Sequence, residues 1–196
     1  MAPATDIRKD LRSDSSDCHD ARGRSHPGAW RYRGPMTHTP GERRALAALE
    51  ASGLTFEITR HGPVSSLAEA AAARGVEPAG IVKTLVVRRG DDDFLLVLVP
   101  GDRAISWPLL RAVLGVTRLS LPDAETAREV TGYERGTITP FGTLTALPVV
   151  ADERVRGRTV SIGAGAHGVA ASVDGDALVR ALDATVADVT QDADAR

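Results

Sequence analysis

The run Ile81-Val82-Lys83-Thr84-Leu85-Val86-Val87 is apolar on both faces, and no other feature constrains the fold so tightly. A half-exposed strand alternates apolar and polar residues, whereas continuous apolarity marks a strand covered on both sides, so the run reads as a central strand. Lys83 interrupts it. Of the 24 Lys and Arg residues 22 are arginine, and the other lysine, Lys9, lies in an N-terminal segment of different character. A lone ammonium in such a strand is paired, held at a pocket wall, pushed toward neutrality, or snorkels from the strand end. Arginine would bring a wider, permanently charged fork instead of a compact point charge. The pattern points to a site at Lys83, one that serves activity rather than stability.

Residues 1–35 are dominated by Asp, Arg, Ser, His and Gly and show no helical or strand periodicity. They read as an unstructured appendage, or Met36 is the true initiator; a basic arm that touches RNA is the functional alternative. Residues 36–196 form one domain. Cys18 is the single cysteine, so no disulfide framework or thiol site is expected, which fits a reducing cytoplasm. No apolar run approaches the roughly 20 residues of a membrane span, and the N-terminus lacks the apolar core of a signal peptide. The formal charge is −2, and a protein that grips nucleic acid through counterion release is usually basic. An RNA partner must therefore be held by a local patch, and neither DNA nor a membrane is expected.

Punctuation gives the element order. Thr39, Pro40 and Glu42 form a capping box before a helix closed by Gly53, and Ser66 with Glu69 repeats it before an alanine-rich helix ending at Gly75. Strands are expected over 54–59, around Lys83, and over 94–99, 116–120, 147–151, 160–163 and 169–172. Helices are expected over 107–114, from Pro122-Asp123 to about Val130, and from an Asp176 cap through Leu178, Leu182 and Val186. Without regular βαβ alternation the class is α+β, with a mixed, strongly curved sheet.

Two further motifs stand out. Gly132-Tyr133-Glu134-Arg135-Gly136-Thr137-Ile138-Thr139-Pro140-Phe141-Gly142 can aim backbone N–H groups into one concavity, or be an ordinary helix-to-strand connection. Gly163-Ala164-Gly165-Ala166-His167-Gly168 matches G-x-G-x-x-G but sits between two strands near the C-terminus. It reads as a tight hairpin with close backbone approach, not a dinucleotide site. His38, His61 and His167 are scattered, so no metal is expected. His61, at a strand end, is a surface or capping histidine or part of a pocket wall. No cofactor is called for.

In order, Arg60-His61, the alanine helix with Glu69, the Lys83 strand, Gly136 to Gly142, Pro148-Val149-Val150-Ala151-Asp152, the Gly163 to Gly168 turn and a terminal helix resemble the YbaK/prolyl-tRNA editing family. The resemblance covers about residues 42–190. It implies a mixed sheet rolled into a partial barrel with flanking helices, and a cytoplasmic enzyme acting in trans. That enzyme would hydrolyse the ester of mischarged tRNA, with Cys-tRNA-Pro or Ala-tRNA-Pro as substrate and prolyl-tRNA synthetase as a partner. On this resemblance Lys83, Gly136, Thr137, Ile138, Thr139 and Pro140 are the catalytic candidates. His61, Thr84, Phe141, Gly142, Gly163 and Gly165 are the substrate-binding candidates. The nucleophile would come from the substrate or from water, so no metal is needed. Cysteine-specific relatives often carry serine where this chain has Gly163, with Ser161 two places earlier, which leaves cysteinyl against alanyl preference open. A non-catalytic aminoacyl- or nucleotide-binding module working with a synthetase is the rival reading, and a hydrolase of free esters a more distant one.

Overall fold

The Lys83 strand, expected at the centre of a sheet, lies at the edge of a four-stranded one; its burial comes from the layers packed on its faces and not from strands on both sides. The computed structural model describes residues 38–193; the expectations for residues 1–35 and for Met36 lie outside the described residues. β1 is Phe56–Arg60, β2 Val82–Gly90, β3 Asp93–Pro100, β4 Arg103–Ile105 and β5 Val149–Asp152. β6 is Thr159–Gly163, β7 Val169–Asp174, β8 Thr185–Ala187 and β9 Thr190–Asp192. One sheet has the order β2-β3-β5-β8, antiparallel at β2/β3 and parallel at the other two pairs. A second, antiparallel sheet runs β1-β7-β6, and a third pairs β4 with β9.

On one face of the first sheet Val82, Val86, Leu96, Leu98 and Ala151 join Val160, Ile162, Val169, Ala171 and Val173 from the second sheet. On the other face Val87, Leu95, Val97, Val99 and Val150 join Ile105, Leu110 and Val189. β3 consequently has no solvent face, as the unbroken apolar run Phe94 to Pro100 requires.

The helices start and stop where capping chemistry directs. Thr39 Oγ1 accepts the Glu42 N–H at 3.1 Å to open α1 (Pro40–Ala51), and Ser66 Oγ accepts the Glu69 N–H at 3.1 Å to open α2 (Leu67–Arg74). Left-handed Gly75, Gly115 and Gly132 terminate α2, α3 (Trp107–Leu114) and α4 (Ala124–Thr131). No helix among the described residues is long and apolar enough to cross a membrane.

Several expectations need correction. The last helix, α5 (Gly175–Ala181), is capped by Asp174, whose Oδ1 accepts the Ala177 N–H; Asp176 instead binds Arg156 and the Gly157 N–H. Asp183 at φ +46° turns the chain, so Val186 enters β8 rather than extending the helix. Residues 116–120 form no strand and touch β2 at one bridge, Arg88 to Ser120. The apolar Val116 and Leu119 are three apart, which does not fit strand alternation. β4 and β9 went unforeseen because each is three residues long; Arg103 ties them through Thr190 and Asp192. The class is mixed α+β, but the three sheets are neither closed nor strongly curled, so these strands do not establish a partial barrel.

The late glycine turn is the close backbone contact that its composition implies. A Cβ on Gly165, whose φ is +80°, would lie 2.5 Å from the Gly41 carbonyl oxygen at the start of α1. Left-handed strain and a backbone collision then act together. Gly165→Ala is expected to destabilise the protein by at least about 2 kcal/mol, read from the urea midpoint.

Candidate active site

β2 and β6 meet at a single parallel bridge, Ile81 to Ser161. Residues at the same level of parallel strands point to the same side, so two steps onward Lys83 stands abreast of Gly163. The core confirms the orientation. Val82 and Val86 of β2, like Val160 and Ile162 of β6, face the large apolar cluster, which turns Lys83 and Gly163 to the opposite side. Ile81, on Lys83's side of the strand, lies under Ala70 and Ala71 of α2.

The half-buried Lys83 ammonium donates to the carbonyls of Gly101 (2.9 Å) and Arg103 (2.5 Å) in the turn after β3. Two of its three N–H donors are thereby engaged and one is left for a ligand. Burial pushes its pKa below the ordinary lysine value, with Asp102 offsetting part of that shift. Lys83 thus has a structural task that the sequence did not reveal, alongside its position at the seam.

The 136–140 loop closes on the same place. A Cβ added to Gly163 would lie 3.0 Å from the Ile138 carbonyl oxygen and 3.6 Å from that of Thr137, so loop and β6 approach backbone to backbone. Gly136 has φ +87°, and a Cβ there would sit 3.3 Å from His167 Cε1. The N–H and hydroxyl of Thr137 both donate to the Glu134 carbonyl, at 3.0 and 2.8 Å. Thr137 is therefore a brace rather than a free donor. The backbone N–H groups of Gly136, Ile138 and Thr139 have no partner among the described residues. Thr139 Oγ1 is fully buried and equally unpartnered, and Pro140 is buried.

Four residues expected to bind substrate occupy packing positions instead. Thr84 lies on the core face with Val82 and Val86, its Oγ1 unpartnered, and Phe141 belongs to the same apolar cluster. Gly142 has φ +68°, with no room for a Cβ against the Arg44 carbonyl, and Gly165 abuts Gly41. His61 sits at the rim. Its backbone N–H donates to the Gly168 carbonyl at 2.8 Å, and its ring bridges Gly62 and Arg74.

Sequence reasoning missed the brace under the loop. Tyr133, fully buried, directs its hydroxyl at the carbonyls of Phe141 (2.7 Å) and Gly142 (3.0 Å), spanning residues 136–140 like a clasp. Burial pushes the phenol's pKa up, Arg44 offsetting part of it, so the group stays a donor. Arg44 stacks on the ring at 4.9 Å and donates to the carbonyls of Gly132 and Gly142. A buried aromatic among glycines was the available signal. Two surface clefts of about 380 and 430 Å³, one between Arg156 and Arg180 and one beside Arg128, include no residue of this seam.

The mixed α+β scaffold has counterparts among known proteins. Residues 61–181 match the aminoacyl-tRNA editing domain, and the chain belongs to that family. It is 37% identical over 94 residues to the proline–tRNA ligase of Heliobacterium modesticaldum, covering 47% of this chain and 16% of the ligase. With the proline–tRNA ligase of Trichlorobacter lovleyi the identity is 30% over 127 residues, 65% of this chain and 22% of the ligase. The chain thus spans less than a quarter of these relatives. Among solved structures, a proposed trans-editing enzyme for prolyl-tRNA synthetase superposes with a TM-score of 0.71 at 30% identity. That likeness covers 78% of this chain and 98% of the other.

The clasp makes a direct prediction. Tyr133→Phe removes one buried hydroxyl and leaves the Phe141 carbonyl without its donor, while Gly142 keeps Arg44, at a cost of about 1–2 kcal/mol. Denaturant unfolding should show that loss, and hydrogen exchange should show faster opening of residues 136–142 than of β3.

Proposed function

We propose that the protein is an aminoacyl-tRNA deacylase acting in trans, in the cytoplasm, which removes a wrongly attached small amino acid from tRNA. The observation that supports this reading is the approach of the 136–140 loop to Gly163 of β6, the strand bridged to the start of the Lys83 strand, with the N–H groups of Gly136, Ile138 and Thr139 unpartnered among the described residues. An aminoacyl ester is activated, so the protein must aim the carbonyl and stabilise the oxyanion that develops on it.

In this reading a positioned water, directed by a substrate hydroxyl, adds to the ester carbonyl carbon, or a substrate thiol does so and leaves as a cyclic thioester that water then opens. The electron pair moves onto the carbonyl oxygen, where the N–H groups of Gly136, Ile138 and Thr139 receive it. Collapse breaks the bond to the ribose oxygen, which leaves with the proton given up by the nucleophile. With water as nucleophile, the products are the free amino acid and tRNA. The third N–H of Lys83 holds the ribose or phosphate of the terminal nucleotide, or polarises the carbonyl. tRNA-Pro is the proposed tRNA, with prolyl-tRNA synthetase as the functional partner. Gly163 offers no hydroxyl to read a thiol, and its tight approach to Ile138 leaves little room for a side chain at this point of the wall. Cysteinyl and alanyl esters are therefore tested side by side.

Release of amino acid from mischarged tRNA-Pro is the assay. Gly136→Val puts a β-branched residue at positive φ in the loop and should abolish release, by about 100-fold or more, with the circular dichroism spectrum retained. Pro140→Ala should weaken release by about tenfold, since it loosens the donors without filling the site. Lys83→Ala should lower the rate at least about tenfold and, because two turn carbonyls lose their donor, also cost about 1–2 kcal/mol of stability. Full activity of Gly136→Val would remove the loop from the site. Binding of charged tRNA without turnover of either ester would establish the non-catalytic module instead.

A further inference from the structure

Arg74 stands apart from the other cations around this site. It ends α2 and is half-buried, and no carboxylate lies within ion-pair distance of it among the described residues. Its neighbour Arg60, by contrast, is bound to Glu42. Arg74 Nε donates to His61 Nε2 at 3.2 Å, which requires that nitrogen to be unprotonated. His61 Nδ1 lies 2.7 Å from the Gly62 carbonyl, which can only accept, so Nδ1 carries the proton and the imidazole is neutral. A neutral acceptor orients the guanidinium without cancelling its charge. Its two NH₂ groups, four N–H donors in one plane, remain without a protein partner among the described residues. Burial lowers the Arg74 pKa, and nothing counters that shift. A half-buried cation with two unpartnered NH₂ groups has the donors to receive an anion from outside the chain.

The position of Arg74 indicates which anion. His61 is tied by its backbone to Gly168, next to His167, whose ring faces Gly136 of the donor loop. The other end of that side is Ile81, covered by α2, with Lys83 two residues on. Arg74 therefore lies on the rim of the seam where the ester is proposed to sit, a short step along any chain attached to it. A forked guanidinium suits two oxygens of one phosphate.

We propose that Arg74, oriented by His61, binds a phosphodiester of the single-stranded RNA end that carries the aminoacyl ester. Arg74 touches the substrate; His61 is a positioning residue. The proposal rests on the deacylase reading, and two separable measurements test it. In the first, the full chain and its Arg74→Gln variant bind uncharged tRNA at about 50 to 200 mM salt. Glutamine keeps a donor toward His61 while removing the charge. Affinity should fall about tenfold, and the slope of log K against log salt should shrink by about 0.7, the value for one single-strand phosphate contact. His61→Phe should weaken binding in the same direction but less, with the salt slope kept, because the charge remains and only its aim is lost.

In the second, deacylation is followed on charged tRNA and on aminoacyl-adenosine, which has the ester but no phosphate. Arg74→Gln should raise KM for charged tRNA about tenfold with kcat within twofold, and leave aminoacyl-adenosine unchanged. An equal loss on both substrates, or an unchanged salt slope, would show that Arg74 only supports α2 and would overturn the proposal. If inorganic phosphate at millimolar concentration competes with tRNA in the wild type and not in the variant, the anion is a phosphate. If only an acidic peptide competes, the site serves a protein partner and the proposal fails. Should the wild type hydrolyse neither ester while Arg74→Gln still loses tRNA affinity and salt slope, the phosphate site stands and the deacylase reading falls. Hydrolysis by the wild type with tRNA affinity intact in the variant would keep the deacylase reading and overturn the phosphate site.

Discussion

Between β2 and β6 a single bridge, Ile81 to Ser161, joins two strands whose other hydrogen bonds go to different sheets. β2 continues into the β3 pair and β6 into the β7 pair, so beyond the bridge the two strands run side by side without a ladder. An unpaired parallel seam inside a folded domain leaves backbone and side chains facing a gap that other elements must fill or a ligand must enter. Here α2 covers one end through Ala70 and Ala71, and the 136–140 loop closes the other against Gly163. Lys83 sits between these closures.

Keeping the loop against the seam requires rigid support, because a glycine-rich segment has many conformations to lose on ordering. Tyr133 and Arg44 supply the support from the core side. The phenol reaches the far end of the loop, and the guanidinium stacks on the phenol while bonding both Gly132 and Gly142. Thr137 fixes the middle through Glu134. These contacts leave the N–H groups of Gly136, Ile138 and Thr139 free, since the loop is held by the two Thr137 donors and by the carbonyls of Gly132, Phe141 and Gly142 at its ends. Such an arrangement is suited to oxyanion stabilisation, where donors must be fixed in place before charge appears.

Local chemistry was legible in the sequence wherever one short segment decided the outcome. Thr39 with Glu42, Ser66 with Glu69, and glycines 75, 115 and 132 set helix ends by contacts within a few residues. The apolar run around Lys83 announced a buried strand but not its place at a sheet edge, and the misplaced G-x-G-x-x-G announced a backbone contact. What escaped depended on partners far along the chain. β4 and β9 pair across almost ninety residues through Arg103 and Thr190, and neither has a pattern of its own. Thr84, Phe141, Gly142 and Gly165 lie beside or within the motifs singled out yet face the core or a neighbouring backbone, which only register and packing reveal. The Arg74–His61 pair likewise brings a helix end to a strand end, and nothing in either segment foretells it.

The retained lysine can now be explained physically. Lys83 Nζ lies between two carbonyls of one tight turn, Gly101 and Arg103, at hydrogen-bonding distance from both. A tetrahedral ammonium reaches two acceptors so closely spaced and still directs a third N–H away from them, whereas a planar guanidinium spreads its donors in a fixed fork. A Cβ on Gly101 would crowd the Pro78 carbonyl and the Leu67 and Ile81 side chains, so the turn itself is closely packed. A compact ammonium therefore suits this turn better than a fork, at the one lysine among the described residues. The turn alone needs two of the three donors. The third N–H is the part of the ammonium that no contact among the described residues accounts for and that the proposed ester would use.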